Sequence, residues 1–123
     1  MENRITSDVK KNMDWVALVK TELDQAGVAR KAGNEGKARV CARRAVGYVI
    51  GEYLRRRKLP SIRSSAYTRL QYLQSLPDIS PQVRNVTDHF LVRITPDHTI
   101  PVEVDLLADV RWLVHELLGD IIE

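Results

Sequence analysis

Apolar residues recur three and four positions apart along most of the chain, and few stretches alternate as a strand would. The spacing predicts a first helix over residues 6–29. Val9, Met13, Val16, Leu23 and Ala26 form its inner face, widened by Trp15, Leu18 and Val19. Gly27, Gly33 and Gly36 loosen the chain, and Asn34 is placed to cap a second helix over residues 35–57. That helix buries Ala38, Ala42, Ala45, Val46, Val49, Ile50, Tyr53 and Leu54. Gly47 and Gly51 lie inside it, one turn apart on one side. Each costs about 1 kcal/mol relative to alanine in an open helix, so the pair implies close approach by another helix. Pro60 ends the segment.

A third helix is predicted over residues 65–76, with Tyr67, Leu70, Leu73 and Leu76 facing inward. Ser80-Pro81 is a start signal, the serine as N-cap and the proline where its missing N–H costs nothing. The helix it opens carries Val83, Val86, Phe90 and Ile94. A final helix over residues 102–118 presents Val104, Leu107, Val110, Val114, Leu117 and Ile121, with Glu103 and Asp105 at its positive end and Gly119 at its stop. The fold class expected is all-α, an up-and-down helical bundle of four to five helices. At 123 residues the chain holds one core, so residues 1–123 form a single domain.

Composition removes several classes of function. Cys41 stands alone, which excludes an intrachain disulfide and a multi-cysteine metal site, and its helical spacing with Ala38 and Ala45 makes it a core residue. Residues 1–10 lack a signal-peptide core and no apolar run spans a membrane, so the expected compartment is cytoplasmic. Charge is uneven. Residues 1–70 carry 16 Lys/Arg against 7 Asp/Glu, whereas residues 71–123 carry 3 against 9. The basic excess includes Arg39, Arg43, Arg44, Arg55, Arg56 and Arg57. A stripe of this kind suits a nucleic-acid backbone, because each phosphate neutralised releases counterions. The alternative is a solvated face whose arginines pair with acids of the second half.

Two motif look-alikes fail. Gly33-Asn34-Glu35-Gly36-Lys37 lacks the leading glycine, the Ser/Thr and the preceding strand of a phosphate loop. His115-Glu116-Leu117-Leu118-Gly119 has glycine where a zinc protease has its second histidine. His98 lies in a polar break and reads as a surface residue. No metal or cofactor is therefore expected.

The remaining pattern is Arg84-Asn85-Val86-Thr87-Asp88-His89 on the fourth helix. Read locally, Arg84 can pair with Asp88, and Asn85 can bond His89, each four residues apart. Arg84 and His89 are about 140° apart around the helix. One helix thus aims them poorly at one phosphate, and a two-fold homodimer would supply a second copy of each.

Arg84-Asn85-x-x-x-His89 resembles the motif of the HEPN superfamily of small helical bundles. The stretch from Asp14-Trp15 to Gln25-Ala26 resembles that family's opening helix, Ala38 to Ala45 its small-residue second helix, and His89 to Asp97 the aromatic segment ending in Pro-Asp that precedes its last helix. The resemblance implies a dimeric RNA-binding protein with metal-independent endoribonuclease chemistry, of a toxin–antitoxin or defence type. His89 would transfer the proton, Arg84 hold the scissile phosphate, and Asn85 orient one or the other. It equally implies non-catalytic protein- or nucleotide-binding modules that partner a nucleotidyltransferase. This chain departs from the paired toxins in having Leu91 where they carry tyrosine, and Asp88 sets a negative charge beside His89.

Overall fold

The computed structural model describes residues 2–59, 65–91 and 105–122, with side chains described from residue 14 onward. The described residues are all-helical, and their five helices form a bundle. Helix α1 spans Glu2–Lys31, α2 Glu35–Arg56, α3 Ala66–Ser75, α4 Pro81–Leu91 and α5 Leu106–Leu113. A π-helical turn over Val114–Leu118 continues α5. Among the described residues, no helix is long and apolar enough to cross a membrane.

Helix α2 is the axis, packing against every other helix. Its small residues allow this: Ala38, Cys41, Ala42, Ala45 and Gly47 are buried along with Val46, Val49, Ile50 and Leu54. Asn34 caps it as expected, accepting from the Lys37 amide at 3.1 Å. Its other end closes before Pro60. The Lys58 amide donates to Arg55 O and the Leu59 amide to Leu54 O, with Lys58 itself left-handed at φ 56°.

Gly47 and Gly51 meet the close approach that their spacing predicts. A Cβ on Gly47 would lie 2.9 Å from the Ala66 Cβ, where α3 begins, and one on Gly51 would lie 2.9 Å from the Arg69 guanidinium. Helix α3 then runs alongside α2 until Asp78 pairs with Arg57 just beyond α2. Helix α4 returns, so that Phe90 O accepts from Arg43 Nε at 3.1 Å. Helix α5 starts beside the end of α1, where Arg30 meets Asp105 at 2.7 Å. Asp120, just after the π turn, lies beside the last turn of α2, where Arg56 meets it at 3.0 Å.

Several expectations about faces change. Leu18 and Tyr67 are each 44% exposed, so α1 turns Trp15, Val19, Leu23 and Ala26 inward and α3 turns Leu70 and Leu73. Ile121 is 81% exposed, while Ile122 is buried. The cause is local. The π turn shifts the helical phase, and Gly119, left-handed at φ 70°, ends the helix before the apolar face reaches residue 121. Asp105 is the N-cap of α5, accepting from the Ala108 amide. Expectations for Val9, Met13, Pro60, Ile94, His98, Glu103 and Val104 fall on positions outside the described residues or side chains.

Candidate functional site

The side chains of the hexad are positioned from three directions. Ser80 caps α4 by accepting from the Val83 amide at 3.1 Å. Arg84, one turn in, folds back onto the end of α3. Its Nε lies 3.2 Å from Gln74 O and its Nη2 3.3 Å from Leu76 O. Helix ends leave such carbonyls without intrahelical partners, and the guanidinium fork satisfies two of them. Gln74 reciprocates, its Nε2 donating to Asp88 Oδ1 at 2.7 Å and to the buried Thr87 hydroxyl at 2.9 Å. The charge of Asp88 is therefore turned toward α3. Neither the Arg84–Asp88 pair nor the Asn85–His89 bond open to the sequence forms, and Asn85 is exposed.

His89 points elsewhere, toward α5. Its Nδ1 lies 2.8 Å from Asp109 Oδ2, and the imidazole keeps 29% exposure while the carboxylate keeps 19%. No described residue hydrogen-bonds Nε2. A carboxylate on one ring nitrogen fixes the ring's orientation and, when it accepts from N–H, the tautomer. The other nitrogen is then available to a proton donor or acceptor outside the chain. Asp109 was not singled out from the sequence. Its only signal there is a flanking position next to the Leu107–Val110–Val114 face, which does not specify a partner twenty residues upstream. Within one chain, Arg84 and His89 thus engage different neighbours.

The basic stripe divides into internal and outward parts. Glu52, with its side chain only 3% exposed, accepts from Arg55 at 2.7 Å and from Arg56 at 2.8 Å. Arg56 also reaches Asp120 and Leu118 O, and its guanidinium sits 5.9 Å above the Trp15 ring. Arg57 pairs with Asp78 and donates to the Tyr53 hydroxyl. Arg43 caps α4, and Arg39 is buried at 5% exposure. Only Arg44 of the six is exposed and without a described partner. It lines an open pocket of about 190 Å³ with Gly47, Tyr48, Ala66 and Arg69. Arg69 is oriented there by donating to Gly47 O at 2.9 Å. That volume is below the roughly 300–1,000 Å³ of drug-sized ligand sites.

Among the described residues, no three His, Cys, Asp or Glu side chains converge as metal ligands. Residues 33–37 form the turn into α2, with Asn34 as its cap, and no strand precedes them. His115 is largely exposed beside Glu116. Cys41 is buried, and burial followed by the nearby Glu22 pushes its thiol above the usual value, as suits an inert core residue. Comparison with family models, with characterised proteins and with solved structures returns no match.

Proposed function

We propose that this chain is an RNA-binding, HEPN-like bundle that cleaves RNA without a metal, acting as a homodimer. The observation that carries this reading is the His89–Asp109 pair, with Nδ1 oriented by a carboxylate and Nε2 hydrogen-bonded by no described residue. His89 as a base takes the proton of a ribose 2′-hydroxyl. The 2′-oxygen attacks the adjacent phosphorus, and the P–O5′ bond breaks. The leaving 5′-oxygen takes a proton from water as protonated His89 returns its own to water, giving a 2′,3′-cyclic phosphate and a 5′-hydroxyl. An imidazole titrates near neutrality and serves as either base or acid. Arg44, exposed at its pocket, supports a binding role by offering its charge to a backbone phosphate.

Purified protein with excess chelator is expected to cut single-stranded RNA and leave 2′,3′-cyclic ends. His89→Ala is expected to slow this by about two to four orders of magnitude. Light scattering should give twice the 14.0 kDa chain mass. Cleavage that survives His89→Ala, or a folded protein that cuts no RNA, would end the enzyme reading.

One observation favours a second reading, a non-catalytic module that pairs with a nucleotidyltransferase or an antitoxin. The Arg84 guanidinium is occupied in capping α3, a structural role that needs no substrate. Under that reading, Arg84→Ala lowers the melting temperature of the chain and removes no activity, because there is none to remove.

A further inference from the structure

Arg39 is a buried cation that none of the roles above employs. Its Nη1 and Nη2 are both buried and without a hydrogen-bond partner. A guanidinium carries five donors and keeps its charge in proteins, so burial without an acceptor is strongly unfavourable. Arg43, one turn further along α2, adds a like charge. Burial first, and then Arg43, lower the Arg39 guanidinium from its ordinary value. The acids at the start of α5 do not relieve this. Asp105 pairs with Arg30 and Asp109 with His89, and no ion pair among the described residues includes Arg39 or Arg43. Arg43 Nε is held 3.1 Å from Phe90 O, one residue beyond His89. Arg43 thus stands where α2 meets the end of α4, one turn along α2 from the buried Arg39 whose Nη donors are unfilled.

We propose that Arg39 and Arg43 form an anion site that takes a phosphate group, resting on the RNA reading above only for that phosphate being a backbone diester. Paired guanidinium forks present planar, directed donors that match the oxygens of a phosphate, and a bound phosphate supplies the acceptors that Arg39 lacks. Arg43, half-buried, is the outer cation and Arg39 the inner one.

The test is thermal unfolding of the full chain in inorganic phosphate against chloride at matched ionic strength. Wild type should melt several degrees higher in phosphate, because a ligand bound only by the folded state stabilises it. Arg39→Met should melt above wild type in chloride, having lost an unpaired buried charge, and should show no response to phosphate. Arg39→Lys keeps the charge without the fork and should respond more weakly. No phosphate response in wild type, or a wild-type response in both Arg39 variants, overturns the site. So does an Arg39→Met chain that fails to fold while Arg39→Lys responds as wild type. A second arm titrates a short single-stranded RNA. Binding about tenfold weaker in Arg39→Met identifies a backbone phosphate, and unchanged RNA binding beside a lost phosphate response identifies a free phosphate or monoester. His89→Ala should keep the phosphate response, so failure of RNA cleavage leaves this test standing.

Discussion

Asp109 Oδ2 lies 2.8 Å from His89 Nδ1, joining two helices whose connection the sequence gives no reason to expect. The carboxylate sits in the first turns of α5, one turn after the Asp105 cap, and reaches α4 across their packing contact. Asp109→Asn preserves shape while removing the carboxylate that holds the ring. If His89 transfers a proton in RNA cleavage, this substitution should slow the reaction by about two orders of magnitude or more. Helicity measured by circular dichroism should stay as in wild type. An unchanged rate in a folded Asp109→Asn chain would leave the pair as a helix–helix contact and nothing more.

Gly47 and Gly51 give paired outcomes from a single substitution type. Alanine at 47 puts a methyl 2.9 Å from the Ala66 Cβ and 3.2 Å from its Cα. Backbone cannot move cheaply, so Gly47→Ala should destabilise by about 1–3 kcal/mol. Alanine at 51 meets only the Arg69 guanidinium, the far end of a flexible side chain. The helix-propensity gain of about 1 kcal/mol then offsets the displacement, and Gly51→Ala should be near neutral. Denaturant melts of the two variants check the contrast. Equal losses would mean that Arg69 is held as firmly as backbone.

The parts of the fold governed by local rules were legible. The caps at Asn34 and Ser80, the stop at Gly119 and the buried run from Ala38 to Leu54 depend on residues within one or two turns of each other. Periodicity misplaced Leu18, Tyr67 and Ile121 because it reports an apolar stripe but not where a neighbouring helix crosses it, and because a π turn resets the phase. The hexad was legible as a motif but not as a geometry. Arg84 turns to α3 and His89 to α5, and both choices come from partners that lie elsewhere in sequence. Charge asymmetry was likewise visible as a number, whereas its resolution into ion pairs with Glu52, Asp78, Asp105 and Asp120 required the packed helices.

Glu52 links that charge balance to pH. Burial alone would raise its carboxyl, but the hydrogen bonds and charges of Arg55 and Arg56 outweigh burial and hold it below its ordinary value of 4.5. A carboxylate depressed in the folded state contributes stability that is present above the unfolded value and lost as pH falls through the folded one. Wild type should therefore lose stability as pH drops below about 4.5, the ordinary glutamate range. Glu52→Gln should be less stable at pH 7 by about 1–3 kcal/mol, since the arginines lose a charged acceptor but can turn to water. It should also lose less on acidification. Melts at pH 7 and pH 3 test the sign. A gap between the two proteins that stays constant across that range would assign the acid sensitivity to other carboxylates.

The divided stripe separates two sets of arginines that composition alone treats as one. Arg55 and Arg56 neutralise a buried glutamate and Arg57 is paired with Asp78, so little of their charge is available to an external phosphate. Arg44 has no described partner and stands at the pocket with Arg69. Single-stranded RNA binding should therefore weaken with salt. Arg44→Gln should lower the magnitude of the log–log slope by about 0.7, the value for one phosphate contact on a single strand. Replacing Arg55, Arg56 and Arg57 together with glutamine should leave that slope nearly unchanged. The same triple variant should melt well below wild type, because Glu52 is then buried without a cation, a loss of about 3–5 kcal/mol. Binding measured across a salt series, with a melting curve for each variant, distinguishes the sets. A flattened slope in a triple variant of wild-type stability would show that these three arginines face a phosphate backbone after all, and that their ion pairs open when RNA binds.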